Sequence, residues 1–246
     1  MCGRYSLSIS PEIVAALFNF YPSVETIPRR FNIAPTQTAA VVRLDRDGNR
    51  QLASLRWGLV PRWSKDLASG SKMINARSET VAEKPAFRDA FRKRRCLIPV
   101  SGFYEWQKME TGLKQPYYIQ SHDGQPLVMA GLWESWKQND ESPPIETFTI
   151  LTTEANLTMQ FLHDRMPVFL QQEQFADWLR CDGKDIQNVQ KMLKPATESL
   201  LVMHAVSRRV NSPADDDAGL IEPESTVPQP HVTKPKERFR QKSLFD

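Results

Sequence analysis

Short strand-like runs broken by turn chemistry, with no regular alternation of strand and helix, constrain this chain more than any other feature. Residues 39–44 and 51–57 are apolar, β-rich runs separated by the segment from Asp45 to Arg50, whose Asp, Gly and Asn residues predict a hairpin turn. Residues 117–120 and 127–133 read as a second hairpin across Ser121, His122, Asp123 and Gly124, because an Asp-Gly step supplies the positive φ of a tight turn. Residues 148–152 read as a further strand. Helices are expected where Ser10 and Pro11 cap and open a run to about Phe20, and over residues 85–94, where Phe87 and Phe91 share a face. Two more are expected over residues 173–179 and 184–193. This mixed order predicts an α+β fold, a single domain whose curved, largely antiparallel and barrel-like sheet is decorated by helices.

The chain has 246 residues, 40% hydrophobic and 25% charged, enough apolar material for one core. From about Glu222 the composition turns to proline and charge, so residues 1–221 read as the folded domain and 222–246 as a flexible tail. The absence of a long apolar run argues against a membrane span and for a cytosolic protein. Cys2, Cys96 and Cys181 form no CxxC pair, which disfavours a disulfide framework and a zinc site; no metal or organic cofactor is expected. A net charge of +3 allows a polyanionic partner without demanding one.

Cys2 stands out chemically. Removal of Met1 would leave an α-amine and a thiol on adjacent carbons of one residue. Such a pair condenses with an aldehyde through the amine and then closes a five-membered thiazolidine through sulfur. Taken alone, a cysteine at position 2 reads more simply as an incidental small residue, because thiol reactivity depends on its environment.

The surrounding motifs decide between these readings. They are Met1-Cys2-Gly3-Arg4-Tyr5, Phe31-Asn32-Ile33-Ala34-Pro35-Thr36, Arg56-Trp57-Gly58-Leu59-Val60-Pro61-Arg62-Trp63 and Ile74-Asn75-Ala76-Arg77-Ser78-Glu79-Thr80. Cys96-Leu97-Ile98-Pro99, Gly102-Phe103-Tyr104-Glu105-Trp106 and His163-Asp164-Arg165-Met166-Pro167 follow. In this order they resemble the SOS response-associated peptidase family, whose members shield abasic sites in DNA, and the resemblance runs from residue 2 to about 221.

The resemblance implies that Cys2, unmasked by autocatalytic removal of Met1, couples to the aldehyde of an abasic site in single-stranded DNA. It implies that Asn75 orients the terminus and the sugar, as an amide with donor and acceptor can. It gives Glu105, a carboxylate between aromatics, the proton transfers of imine formation, and His163 the opening of the deoxyribose ring. Arg4, Arg77 and Arg165 would hold flanking phosphates. Trp63 and Trp106 would stack on bases, and Pro35 would shape the pocket. Trp57 and Trp133, within strands, read instead as core, and the basic run from Arg92 to Arg95 as a solvated helix end or the lip of an anion groove. His122 and His231 read as bystanders.

In the tail, Gln241, Leu244 and Phe245 lie in a peptide that resembles those docking bacterial proteins onto the replicative sliding clamp, with Lys242 where leucine is usual. The implied protein is a monomeric crosslinking enzyme with possible lyase activity, cytoplasmic and nucleoid-associated when on DNA. The alternatives are a cysteine peptidase acting on other proteins and a noncovalent single-strand binding module.

Overall fold

The computed structural model describes residues 2–19, 28–181 and 186–225. In chain order its strands are β1 Tyr5–Leu7, β2 Arg30–Ile33, β3 Thr38–Leu44, β4 Arg50–Trp57, β5 Asn75–Arg77 and β6 Arg95–Val100. They continue as β7 Gly102–Lys108, β8 Lys114–Ser121, β9 Leu127–Trp136, β10 Ile145–Glu154, β11 Arg165–Pro167 and β12 Leu201–Ala205. Short helices are α1 Pro11–Phe18, α2 Arg88–Lys93, α3 Leu157–Gln160, α4 Phe175–Leu179 and α5 Ile186–Lys191.

Five strands close on themselves. β10, β4, β3, β6 and β9 pair in that order, and β9 pairs back onto β10. Only the β4–β10 contact in this ring is parallel. The second half of β10 extends beyond the ring and pairs with β5 and β11. A second, antiparallel sheet runs β12-β8-β7-β1-β2. The α+β expectation with a curved, barrel-like core therefore holds.

The first hairpin forms as expected: Asp45 Oδ1 accepts the N–H groups of Asp47 and Asn49, and Gly48 takes φ 85°. The second hairpin does not form. The Ser121–Gly124 turn is present, with Gly124 at φ 72° and its N–H on the carbonyl of Ser121 at 3.1 Å. Its two strands nevertheless enter different sheets, β8 beside β7 and β12, and β9 beside β6 and β10. Both strands are buried on both faces along most of their length, so sheet packing chooses their partners over the local turn.

Ser10 caps α1 as expected, and Asn19 at φ 52° ends it after Phe18. Phe20 lies outside the described residues. The helix expected over 85–94 is confined to Arg88–Lys93, α4 is preceded by a 3₁₀ turn at Gln172–Gln174, and α5 begins at Ile186, Lys184 lying outside the described residues.

Trp57 is fully buried between Tyr5 and Phe148, with ring centroids at 5.1 and 6.2 Å, while Trp133 is half-buried beneath the Arg43 guanidinium. Burial of such side chains contributes about 1.5–3 kcal/mol each. The basic run splits. Arg92 and Lys93 are exposed, but Arg94 pairs with buried Glu134 at 2.6 Å, and Arg95 donates to the carbonyls of Phe91, Trp178 and Arg180. Half of the run thus ties helices to the barrel instead of lining a solvated edge or an anion groove.

A strap covers the outer face of the second sheet. Val206, Val210 and Leu220 form a small core with Tyr104 and Tyr118. Buried Asn32 donates Nδ2 to the carbonyls of Val210, Ser212 and Asp215, and Asp216 accepts the N–H groups of Phe31 and Asn32 while pairing with Arg30. Backbone pairing continues to Glu224, whose N–H reaches Ala205 O at 2.8 Å. His231 and the peptide containing Gln241, Leu244 and Phe245 lie outside the described residues. Among the described residues no helix is long and apolar enough to cross a membrane.

Candidate active site

The site forms where the chain entering β1 meets β5 and β7. Cys2 is fully buried, and its Sγ lies 3.8 Å from the Arg4 carbonyl. Burial, and next the negative charge of Glu105, push the thiol up to about 12, so sulfur is held as S–H near neutral pH. Glu105 is itself buried on β7.

Asn75 opens β5, and its Nδ2 donates to the main-chain oxygen of Cys2 at 2.8 Å. Its Oδ1 is buried and finds no donor among the described residues. That places an unfilled acceptor beside Cys2, of the kind that ligand groups commonly satisfy.

The loop before β5 is pinned from several sides. Gly58 N–H donates to Phe148 O, Leu59 N–H to Met73 O, and the Trp57 indole to Ile74 O at 2.9 Å. Gly58, at φ 120°, packs directly on Gly70, and a Cβ there would come within 2.6 Å of the Gly70 oxygen. The same loop presents Trp63 with 66% of its surface exposed. Its neighbour Arg62 is anchored by Nε on Glu134 at 2.9 Å, and the Trp136 indole holds Ser64 O at 2.7 Å. The stacking candidate is therefore presented on a fixed platform.

Period-two alternation puts residues 75 and 77 on one face of β5, and Arg77 is exposed there. β5 pairs with β10, and β10 with β11, which begins at Arg165. His163 occupies the loop between α3 and β11, one third exposed. Its Nδ1 lies 3.0 Å from Arg165 N–H and 2.6 Å from the Asp164 carboxylate, contacts that favour opposite protonation states of that nitrogen.

Two of the expected phosphate ligands are already engaged. Arg165 forms a bidentate pair with Glu79 and also donates to Thr152 O. Arg4 donates Nη1 to Asn32 Oδ1 and Val210 O, both at 2.7 Å. Burial lowers its pKa.

Trp106 points away from Glu105. Tyr104, Tyr118 and Trp106 pack on the strap side of the second sheet, whereas Phe103 and Tyr117, the register partner of Glu105, face the main core. The Trp106 indole donates to Asn211 at 2.8 Å, on the same turn that receives Arg4. Pro35 is half-buried at the turn after β2.

Two residues beside the site carried no role in the sequence reading. Phe161, two positions before His163, is 46% exposed and meets Tyr117 edge-on at 5.8 Å, and Glu79 pairs with Arg165. Proximity in sequence to His163 and Arg77 is the signal that each offers. No cluster of three or more metal-ligating side chains occurs among the described residues.

The family model described as SOS response associated peptidase (SRAP) matches residues 1–213. The Bacillus subtilis abasic site processing protein YoqW is 40% identical over 225 residues, covering 90% of this chain and 99% of that protein. The Escherichia coli abasic site processing protein YedK is 32% identical, covering 91% of this chain and 100% of that protein. Gallus gallus HMCES, also named an abasic site processing protein, is 34% identical over 76% of this chain and 60% of its own length. A crystal structure of a Bordetella bronchiseptica protein superposes with a TM-score of 0.72 at 30% identity, covering 84% of this chain and 100% of that one. A Bacteroides thetaiotaomicron protein superposes with 0.78 at 25% identity, covering 91% and 100%. The chain belongs to the SOS response associated peptidase family.

Proposed function

We propose that this protein captures abasic sites in single-stranded DNA by forming a thiazolidine between Cys2 and the ring-opened sugar, shielding the lesion during replication. The observation that carries the reading is the contact of Asn75 with the Cys2 carbonyl, with the second amide atom of Asn75 left open beside it. That arrangement orients a terminus and offers an acceptor to an amine or a sugar hydroxyl.

Hydrolysis of the Met1–Cys2 bond consumes one water and releases methionine, freeing the α-amine. His163 moves the proton that opens the deoxyribose to its aldehyde. The amine adds to the aldehyde carbon, and the carbinolamine loses water, with Glu105 supplying the proton, to give an imine. The Cys2 thiol then adds across the C=N bond: sulfur joins carbon, and its proton passes to nitrogen. A thiol kept protonated suits this order, since the amine and not the sulfur is the first nucleophile. The imine also offers a route to strand cleavage, a lyase activity. Arg4, Arg77 and Arg165 hold phosphates, Trp63 contacts bases, and Pro35 shapes the pocket, while Trp106 stays with the strap on the other face of β7. The sliding-clamp peptide in the tail would bring a monomeric protein to stalled forks.

The rival reading, a cysteine peptidase with external protein substrates, requires a thiolate paired with an imidazole. Here the thiol is raised instead, and the charge acting on it most strongly belongs to Glu105. Incubation of the full chain with an abasic single strand, followed by a denaturing gel, tests the proposal. An adduct with wild type, and none with Cys2→Ala or with a chain retaining Met1, is expected; no adduct with wild type overturns it. Loss of the adduct together with retained binding would leave a noncovalent binding module.

A further inference from the structure

We infer that Glu79 is a resident phosphate mimic, occupying the fork of Arg165 that a DNA phosphate must take over, and so setting how tightly any single strand is held before the covalent step. This rests on the proposed role of Arg165 as a phosphate ligand.

The carboxylate of Glu79 engages Arg165 in a two-point pair, Oε1 with Nη1 at 2.6 Å and Oε2 with Nη2 at 2.9 Å. A phosphate binds the same planar fork with the same two parallel bonds, so the two anions compete for one set of donors. Nη2 also donates to Thr152 O at 2.6 Å, and Arg165 Nε is buried with no partner among the described residues. Of the three N–H groups outside that pair, one on Nη2 is spent on Thr152 O and the one on Nε is buried, so the two-point site for an anion is the edge that Glu79 occupies.

The two partners differ in freedom. The Arg165 side chain is 12% exposed and fixed to the β10 backbone, whereas that of Glu79 is 49% exposed. Displacement therefore moves Glu79 into water and leaves the arginine in place. Arg77 lies on the neighbouring strand: its register position is opposite Thr152, the residue that Arg165 grips, and its charge adds only a minor pull on Glu79. The consequence is selectivity: an undamaged strand must pay the exchange with noncovalent contacts alone, while an abasic strand goes on to bond with Cys2.

The test uses the full chain and a labelled single strand carrying a tetrahydrofuran abasic analogue, which has no aldehyde and reports noncovalent binding by fluorescence anisotropy. Glu79→Gln should bind about three- to tenfold more tightly than wild type. Glu154 is the charge control, because it is exposed and stands opposite Arg165 in the β10–β11 register. Glu154→Gln should change affinity less than about twofold. In an Arg165→Ala background the Glu79→Gln gain should disappear.

Weaker binding by Glu79→Gln would show that the carboxylate orients Arg165 and would overturn the inference, as would a gain equal to that of Glu154→Gln or one that survives Arg165→Ala. A thermal melt of each variant separates these outcomes from unfolding. Failure of wild type to bind the analogue or to form an adduct with a true abasic strand would instead overturn the proposed function itself.

Discussion

Asn75 holds Cys2 through its main chain: the amide Nδ2 donates to the Cys2 carbonyl across 73 residues of sequence, at 2.8 Å. The contact fixes the backbone that bears both nucleophiles and leaves the thiol and amine free to react. Replacing Asn75 with Ala should slow adduct formation about 100-fold, the scale expected when a reacting group is misplaced by an ångström. The fold should lose only about 1 kcal/mol, the net worth of one hydrogen bond. Quenched-flow gels for the rate and a thermal melt for the stability check both parts.

The buried thiol predicts an alkaline limit to stability. In the unfolded chain Cys2 ionises from its ordinary value of 9.0, whereas in the folded chain it does so only near 12. A folded-state pKa above the unfolded one means that the contribution is intact below pH 9.0 and is lost as pH rises from there towards 12. Over that window this group alone reduces stability by about 1.4 kcal/mol per pH unit at most. Burial raises Cys96, Tyr104 and Tyr118 in the same direction, so the decline should be steep. Denaturant midpoints measured from pH 8 to 11 should fall, and Cys2→Ala should flatten part of the slope.

The strap makes the C-terminal part of the domain a structural partner of Arg4. Asp216→Ala removes an ion pair with Arg30 and strips the N–H groups of Phe31 and Asn32 of their acceptor. Bonds to a charged acceptor are worth about 1.5–3 kcal/mol each, so a loss of at least about 2 kcal/mol is expected in urea unfolding. Affinity for single strands should fall with it, because Val210 O and Asn32 Oδ1 both hold the Arg4 guanidinium.

Gly58 is the tightest point of the loop that carries Trp63 and leads to Asn75. Its φ of 120° and the 2.6 Å approach to the Gly70 oxygen leave no room for a methyl group. Gly58→Ala should destabilise the fold by about 1–3 kcal/mol, and the melting temperature reports it. Adduct formation should slow further than that loss explains, since the loop backbone must shift.

Much of the fold is legible in the sequence, and the parts that are not share a cause. The Asp45–Arg50 hairpin was readable because turn and strands agree within twenty residues. The turn at Asp123-Gly124 was equally readable, yet β8 and β9 go to different sheets because their partners lie far away in sequence. β5 has only three residues and pairs in parallel with β10, so no local period marks it. At the site, the motifs carrying Cys2, Asn75 and Glu105 converge in space. What they could not convey is occupancy and facing. Trp106 follows Glu105 directly and therefore points to the other face of β7, and Arg165 arrives with its fork already filled by Glu79. Arg94 and Arg95 read as surface charge but are buried, because Glu134 and three backbone carbonyls receive them.

The most direct test of the central claim is the intact mass of the adduct between the full chain and an abasic oligonucleotide, measured after denaturation without any reductant. One species is expected: protein lacking Met1 plus oligonucleotide minus one water, with Cys2 as the modified residue on peptide mapping. An adduct that retains Met1, or one that maps to a residue other than Cys2, would contradict it.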